Sequence, residues 1–141
     1  DLVTQGVKVC FIGDLVGLDA PLAQLAYALE EETKENTKLT LTIALNFSGS
    51  WFVKNTVKKM VDAKRSYTEN EVTHVFDSLL PSPPDMLIRT GGEQRLSDFV
   101  MYHLAYAELF FVPEYWPSFT QETYLKCITG YEHRHRRFGQ V

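Results

Sequence analysis

The chain has 141 residues, of which 45% are hydrophobic and 23% charged, and its net charge is -4. A domain averages about 150 residues, so residues 1–141 are expected to form a single domain of ordinary globular composition. The negative charge excludes a general polyanion binder, because nucleic-acid binding needs a broad positive surface. The sequence contains no run of about eighteen apolar residues, which is the feature that predicts a membrane span.

Strands and helices alternate along the chain, which predicts an α/β fold with a mostly parallel sheet flanked by helices. The predicted strands are apolar or β-branched runs that end at turn residues: 7–12, 39–45, 86–88 and 109–112. The predicted helices carry amphipathic spacing or a capping residue: 20–36, 51–64, 69–79 after the cap Thr68, 98–106 and 121–137. Prolines at positions 81, 83 and 84 forbid a helix and mark a connector.

Two polar residues follow the first two strands. Asp14 comes after Gly13 and is more typical of a turn than of a ligand site. Asn46 directly follows the second strand, so it is expected at the sheet edge where Arg89 also emerges. For Asn46, substrate contact and turn hydrogen bonding both stay open.

The end of the third strand is the most informative segment. Arg89 closes this strand at the edge where α/β sheets bind ligands. Gly91 and Gly92 permit positive φ, Arg95 supplies a second guanidinium, and Ser97 is a natural N-cap for the next helix. A diphosphate suits these parts, because guanidinium forks and helix N-termini both bind phosphate oxygens.

A simpler interpretation of the same residues is a Gly-Gly turn. In that case the two arginines are surface residues paired with Glu93 and Asp98. A lone Gly-Gly motif is weak and does not decide between the two interpretations.

Several motifs together make the sequence resemble the cis-prenyltransferases, the family of undecaprenyl diphosphate synthase. They occur in the family's order and span nearly the whole chain: residues 12–14, 41–49, 89–93 with Arg95, 97–99, 105–111, 116–119 and 136–139. One departure lies at residues 47–50, which read Phe-Ser-Gly-Ser where the family usually has Tyr-Gly-Gly-Arg.

The resemblance implies a transferase of isoprenoid biosynthesis. It would condense isopentenyl diphosphate with an allylic prenyl diphosphate, such as farnesyl diphosphate, into a Z-polyprenyl diphosphate. It implies Mg²⁺ as cofactor with Glu108 as a ligand, and a homodimer whose Arg137 tail reaches the partner's diphosphates. The residues expected to bind substrate are Arg89, Arg95, Ser97, Asn46, Glu93, Arg137 and Gly139.

Glu108 raises a geometric conflict. It opens a strand whereas Arg89 closes one, so a simple parallel sheet places the two at opposite edges. The resemblance therefore requires a bend, another geometry, or a role for Glu108 in a partner subunit.

The resemblance further implies that these residues form the C-terminal part of a synthase. The principal magnesium aspartate would then precede them, no catalytic residue is assigned here, and the chain alone is expected to be inactive. The expected location is the cytoplasm, with membrane association through the product, and Cys10 and Cys127 fit free thiols in a reducing compartment.

Two alternatives to a catalytic chain stay open. The chain could be a non-catalytic prenyltransferase-like subunit, or a generic phosphate-binding α/β domain. The intact set of Arg89, Arg95 and Ser97 favours the enzyme, because a subunit that binds no isopentenyl diphosphate does not need it.

Overall fold

The computed structural model describes residues 2–80 and 82–136, and the chain divides into two compact units, Asp1–Leu80 and Pro81–Val141. The elements of the first unit are β1 (Val7–Gly13), α1 (Ala20–Thr33), β2 (Leu39–Leu45), α2 (Gly49–Asp62) and α3 (Glu69–Asp77). Those of the second are β3 (Met86–Arg89), a 3₁₀ turn (Met101–Leu104), β4 (Glu108–Phe111), a 3₁₀ turn (Trp116–Ser118) and α4 (Gln121–Glu132). The α/β class predicted from the sequence is confirmed.

In the first unit, β1 and β2 pair in parallel and α1 covers the free edge of β1. Thr33 of α1 is fully buried, and its Oγ1 accepts the N–H of Val9 at 3.0 Å. Oε1 of Glu30 accepts the N–H of Phe11 at 2.7 Å. Side chains of α1 therefore satisfy backbone donors that would otherwise stay unpaired beside the core.

Helix α3 begins after Thr68, the cap predicted from the sequence, and the structure adds Glu71 as the second partner of a capping box. Its hydroxyl accepts the N–H of Glu71 at 3.3 Å, and the Glu71 carboxylate accepts the N–H of Thr68 at 2.9 Å. The bond from the Thr68 N–H, followed by bonds from Arg65 and from the Thr68 hydroxyl to the same carboxylate, lowers the pKa of Glu71 to about 2. The cap is therefore complete above the ordinary carboxyl pKa and is lost as the pH falls through about 2.

In the second unit, β3 and β4 also pair in parallel, so the predicted pairing mode is confirmed within each unit. Met86 lies opposite Glu108, and Arg89 lies opposite Phe111. Arg89 thus sits at the carboxyl end of this strand pair and Glu108 at its amino end, as the strand assignment from the sequence requires.

Two predicted helices are wrong in extent. The helix expected over 98–106 is a short 3₁₀ turn, Met101–Leu104, because Asp98 and Val100 have φ of 64° and 36°, which no α-helix accommodates. The helix expected over 121–137 ends at Glu132. Beyond it, Arg134 turns away to pair with Glu108 on β4.

Large apolar side chains are exposed in both units. Val16 is 89% exposed, Tyr115 73% and Trp116 75%. None of the helices within residues 2–80 and 82–136 has the length and apolar character to cross a membrane.

The buried hydroxyl of Thr33 gives a stability prediction. In the natural full-length protein, Thr33→Val should leave the Val9 N–H buried without its acceptor and lower the free energy of unfolding by ~1–3 kcal/mol. Urea denaturation measures the change. Thr40→Val, at an exposed position of β2, is the matched control and should stay within ~0.5 kcal/mol. Equal effects of the two substitutions would contradict this role for Thr33.

Candidate functional site

The loop after β3 folds back onto the arginine that ends the strand. Nη1 of Arg89 donates to the backbone carbonyl of Arg95 and, at 3.0 Å, to Oγ of Ser97. The guanidinium is therefore fixed at the carboxyl end of β3 before any ligand arrives. The predicted meeting of Arg89 with Ser97 is present in the described structure.

Gly91 and Gly92 shape this loop through positive φ, 93° and 77°. Their N–H groups donate to the carbonyls of Glu114, at 2.7 Å, and Val112, at 2.9 Å. The two amides are therefore used to tie the loop to the chain that follows β4. The glycines supply the turn, as predicted, while anion contacts are left to side chains.

The predicted N-cap role of Ser97 is wrong. Ser97 has a φ of 49°, and the nearest helical turn begins only at Met101. Its hydroxyl accepts a hydrogen bond from Arg89 instead of from a backbone N–H of a helix. Serine hydroxyls commonly bond to nearby groups in this way, in competition with a capping role. A hydroxyl that accepts from a cation can direct its own proton toward an anion.

Residues 97–100 carry an unusual backbone. Val100 is buried, 4% exposed, and has a φ of 36°, which is costly for a β-branched residue. Strained backbone of this kind clusters at functional sites, so it supports the choice of this segment as a candidate site.

Arg95 extends from the same loop toward solvent. Nη1 of Arg95 pairs with Oε2 of Glu93, and both side chains are more than half exposed. The interpretation of this segment as a Gly-Gly turn with surface arginines predicted a pairing of this kind with Glu93. An exposed ion pair contributes ~0–1 kcal/mol, so a polyanion can displace Glu93 at small cost.

A cleft of about 330 Å³ lies beside these side chains. Arg89 and Ser97 provide its polar lining. Its other lining residues are mostly apolar: Leu87, Ile88, Thr90, Leu96 and Phe99. Leu96 and Phe99 were not predicted from the sequence as site residues. Their position as apolar residues within an otherwise polar loop was the feature that could have indicated them.

Asn46 belongs to the first unit, where it follows β2 with a φ of 46°. Its Nδ2 donates to the carbonyl of Asp14 at 3.4 Å, and its own carbonyl accepts the Asp14 N–H at 3.3 Å. Oδ1 of Asp14 accepts the N–H of Gly17 at 3.2 Å, as expected for a turn residue. The turn hydrogen bonds predicted for Asn46 are therefore present, and its contact with substrate stays a prediction.

Glu108 lies at the amino end of β4, and its Oε2 receives Nη1 of Arg134 at 2.5 Å. The carboxylate already carries a cation, and three residues of strand separate it from the level of Arg89, roughly 10 Å at ~3.3 Å per residue. Within one chain Glu108 is therefore too far from Arg89 to share a metal ion with an anion held there, and its role as a metal ligand in a partner subunit stays a prediction. Among residues 2–80 and 82–136, no three His, Cys, Asp or Glu side chains are grouped to hold a metal. Arg137 and Gly139 lie outside the described residues.

Comparison with known proteins identifies the family of the chain. Residues 1–139 match the prenyltransferase family model described as "Putative undecaprenyl diphosphate synthase". The chain belongs to this family. The match includes both glycine-containing segments and the loop of Arg89, Arg95 and Ser97.

Members of the prenyltransferase family resemble the chain along almost its whole length. An isoprenyl transferase of Aquifex aeolicus is 38% identical over 141 residues, covering 99% of this chain and 61% of the relative. The farnesyl-diphosphate-specific ditrans,polycis-undecaprenyl-diphosphate synthase of Pasteurella multocida is 36% identical over 142 residues, covering 96% and 59%. The chain therefore spans about 60% of the length of these relatives.

A solved structure in the family has the same fold. Lavandulyl diphosphate synthase from Lavandula x intermedia, crystallised with dimethylallyl diphosphate, has a TM-score of 0.89 to this chain and 27% sequence identity. The alignment covers 99% of this chain and 64% of the plant enzyme.

The turn at Gly92 gives a second stability prediction. Gly92→Ala keeps the N–H that binds Val112, but it forces a side chain into a left-handed φ and should cost ~1–2 kcal/mol. Gly49→Ala, at the start of α2 where φ is not positive, is the control and should leave stability unchanged or raised. Urea unfolding midpoints of the two full-length variants check this, and a neutral Gly92→Ala would refute the turn assignment.

Proposed function

We propose that this chain is the part of a cis-prenyltransferase that binds isopentenyl diphosphate. The enzyme condenses isopentenyl diphosphate with an allylic prenyl diphosphate, such as farnesyl diphosphate, into a Z-polyprenyl diphosphate. The observation that carries the proposal is the fixed Arg89 guanidinium, hydrogen-bonded to Ser97 and to the backbone carbonyl of Arg95, in a chain of the prenyltransferase family. The farnesyl-specific name of the Pasteurella multocida relative supports the choice of allylic substrate.

In this proposal Arg89, Arg95 and Ser97 hold the diphosphate of isopentenyl diphosphate. Arg89 needs little reorganisation, because the Arg95 carbonyl and Ser97 already orient its planar fork. Arg95 leaves Glu93 and turns to the phosphate oxygens, a stronger charge-assisted contact than its exposed ion pair. Glu93 thus keeps the arginine in place until substrate arrives.

The apolar part of the cleft suits the hydrocarbon end of the same substrate. Leu96 and Phe99 line it next to the polar groups, as an isopentenyl chain attached to a diphosphate requires. With its diphosphate held, the double bond is presented in one orientation to the allylic carbon from which diphosphate departs. The attack leaves a positive charge on the tertiary carbon of the isopentenyl unit. Loss of a proton from the adjacent carbon then gives the Z double bond, and no described residue is assigned as the acceptor of that proton.

We propose Mg²⁺ as the cofactor of the complete enzyme. When bound, it would neutralise charge that develops on the departing diphosphate. Because Glu108 is paired with Arg134 at the far end of β4, no step is assigned to a metal held by this chain.

The remaining predicted substrate residues belong to the proposal on weaker support. Asn46 directly follows the carboxyl end of β2, where ligands of α/β sheets bind, and Arg137 and Gly139 match the family's tail motif. A cytoplasmic location, with membrane association through the long product, completes the proposal. Neither nucleic acid nor a protein of another kind is required as a partner.

The Arg95 contact can be tested kinetically in the natural full-length protein. Arg95→Ala should raise the KM for isopentenyl diphosphate about tenfold or more, because one charge-assisted phosphate contact contributes ~1.5–3 kcal/mol. Affinity for the allylic substrate should change little. Arg65→Ala removes an arginine from a similar exposed ion pair, with Glu71, and serves as the control.

Two other results would contradict the proposal. Equal weakening of both substrates by Arg95→Ala would show that Arg95 does not discriminate between the two diphosphates. Absence of any isopentenyl diphosphate binding by the unsubstituted protein would favour the non-catalytic subunit.

We also propose a homodimer, supported by the exposed aromatic side chains that follow β4. Tyr115, 73% exposed, and Trp116, 75% exposed, are large rigid groups of the kind that anchor self-complementary interfaces. Multi-angle light scattering at tens of micromolar should give twice the chain mass for the full-length protein. Trp116→Ala should shift the equilibrium toward monomer, and a wild-type monomer would contradict the proposal.

A further inference from the structure

Polar side chains of α1 occupy the outer edge of β1, which is the edge that does not face β2. Oγ1 of Thr33 accepts the N–H of Val9 at 3.0 Å, and Oε1 of Glu30 accepts the N–H of Phe11 at 2.7 Å. Val9 and Phe11 are alternate residues of the strand, so their N–H groups point to the same edge. Helix α1 therefore supplies hydrogen bonds that a neighbouring strand would otherwise make.

The same edge is bonded nearer the beginning of β1. Nδ2 of Asn36, three residues beyond α1, donates to the carbonyl of Val7 at 2.9 Å. The Thr33 hydroxyl gives its own proton to the carbonyl of Leu29 at 2.7 Å, so its lone pairs remain for the strand. Glu30 adds a carboxylate, and a charged side chain at a strand edge opposes pairing with another strand. We call this edge of β1 the closed edge.

The outer edge of β2 has the opposite character. The register pairs Lys8 with Thr40 and Cys10 with Thr42, and within residues 2–80 and 82–136 β2 has no strand partner other than β1. Since the odd-numbered residues of β1 point away from β2, its even-numbered residues bond to β2. In a parallel ladder this register turns the backbone groups of Thr40, Thr42 and Ala44 outward. We call this edge of β2 the open edge.

The open edge carries none of the features by which proteins protect an exposed strand. β2 reads Leu-Thr-Leu-Thr-Ile-Ala-Leu, without charge or proline, and its register with β1 is continuous, without a bulge. The side chains of Leu39 and Leu41 are 59% and 36% exposed. An uncharged edge of seven residues that stays open is a template for aggregation. The first unit therefore favours a strand beside β2 and opposes one beside β1.

We propose that the open edge of β2 receives a further strand of the same polypeptide in the natural full-length protein, and that Glu30, Thr33 and Asn36 direct the strand there by closing β1. The relatives have chain available for such a strand, because the matched part is 61% of the Aquifex aeolicus protein and 59% of the Pasteurella multocida protein. A covalently joined strand covers the edge at every protein concentration, whereas a second copy would leave it open in dilute solution. This pairing requires neither substrate nor the proposed homodimer.

Amide hydrogen exchange in the natural full-length protein tests the open edge. The N–H groups of Thr40, Thr42 and Ala44 should exchange about a hundredfold or more slowly than in an unstructured peptide, because a strand ladder protects them. Leu41 and Ile43, whose N–H groups face β1, are the internal controls for a paired strand. The protection should be the same at low and at high protein concentration.

Two results of this measurement would overturn the proposal. Fast exchange at Thr40, Thr42 and Ala44, with Leu41 and Ile43 protected, would show that no strand pairs at this edge. Protection that develops only as the protein concentration rises would assign the edge to a second copy of the protein.

Substitution of Glu30 tests the closed edge. Glu30→Leu removes both the charge and the acceptor of the Phe11 N–H, so exchange at Phe11 should accelerate about tenfold. Glu30→Gln keeps an oxygen acceptor and should retain most of the protection. Glu32→Leu removes an exposed carboxylate from the same helix and is the matched control, with exchange at Phe11 unchanged.

The same variants should also differ in association. Glu30→Leu should form larger species than the unsubstituted protein on size-exclusion chromatography, because an opened β1 edge can pair with another copy. Glu30→Gln and Glu32→Leu should elute with the unsubstituted protein, and Thr42 should stay protected in all three variants. Unchanged exchange at Phe11 together with unchanged size in Glu30→Leu would show that Glu30 does not close this edge, and would overturn its part in the proposal.

Discussion

The parallel pairing of β3 with β4 is the constraint on which the second unit depends. Four residues on each strand set the register from Met86 against Glu108 to Arg89 against Phe111. This register places two charged groups at opposite ends of the strand pair. The loop of Arg89 lies at the carboxyl end, and the paired acids with their arginines lie at the amino end.

The loop at the carboxyl end is an example of a site prepared by its own backbone. Gly91 and Gly92 use their amides to bind the chain beyond β4, which brings the rest of the loop back over Arg89. Arg89 then takes the Arg95 carbonyl and the Ser97 hydroxyl as partners. A chain with a net charge of -4 can hold a small polyanion here, because the positive charge is local and oriented.

The sequence predicted the parts of this arrangement that follow from local pattern. Apolar runs gave the strands, and the position of Arg89 after such a run placed it correctly at a strand end. The helix cap at Thr68 was also predicted correctly, because its partner, the N–H of Glu71, lies only three residues away. Alternation of strand and helix was enough for the fold class.

What the sequence did not predict depends on contacts between distant residues. Ser97 resembles an N-cap, but a side chain eight positions earlier takes its hydroxyl and the predicted helix does not form. Arg134 and Arg136 resemble a basic helix end, but Glu108 and Asp85, 26 and 51 positions away, draw them off the helix. Contacts between residues so far apart in the sequence leave no periodic pattern from which these hydrogen bonds could be predicted.

The central claim is that the Arg89 loop receives the diphosphate of isopentenyl diphosphate. Nitrogen-15 NMR of the arginine side chains, during titration of the full-length protein with isopentenyl diphosphate, tests it most directly. The account predicts large shifts for Arg89 and Arg95, while Arg65 and Arg134 keep their positions in their ion pairs. Saturable binding that leaves the Arg89 and Arg95 signals unmoved would contradict it.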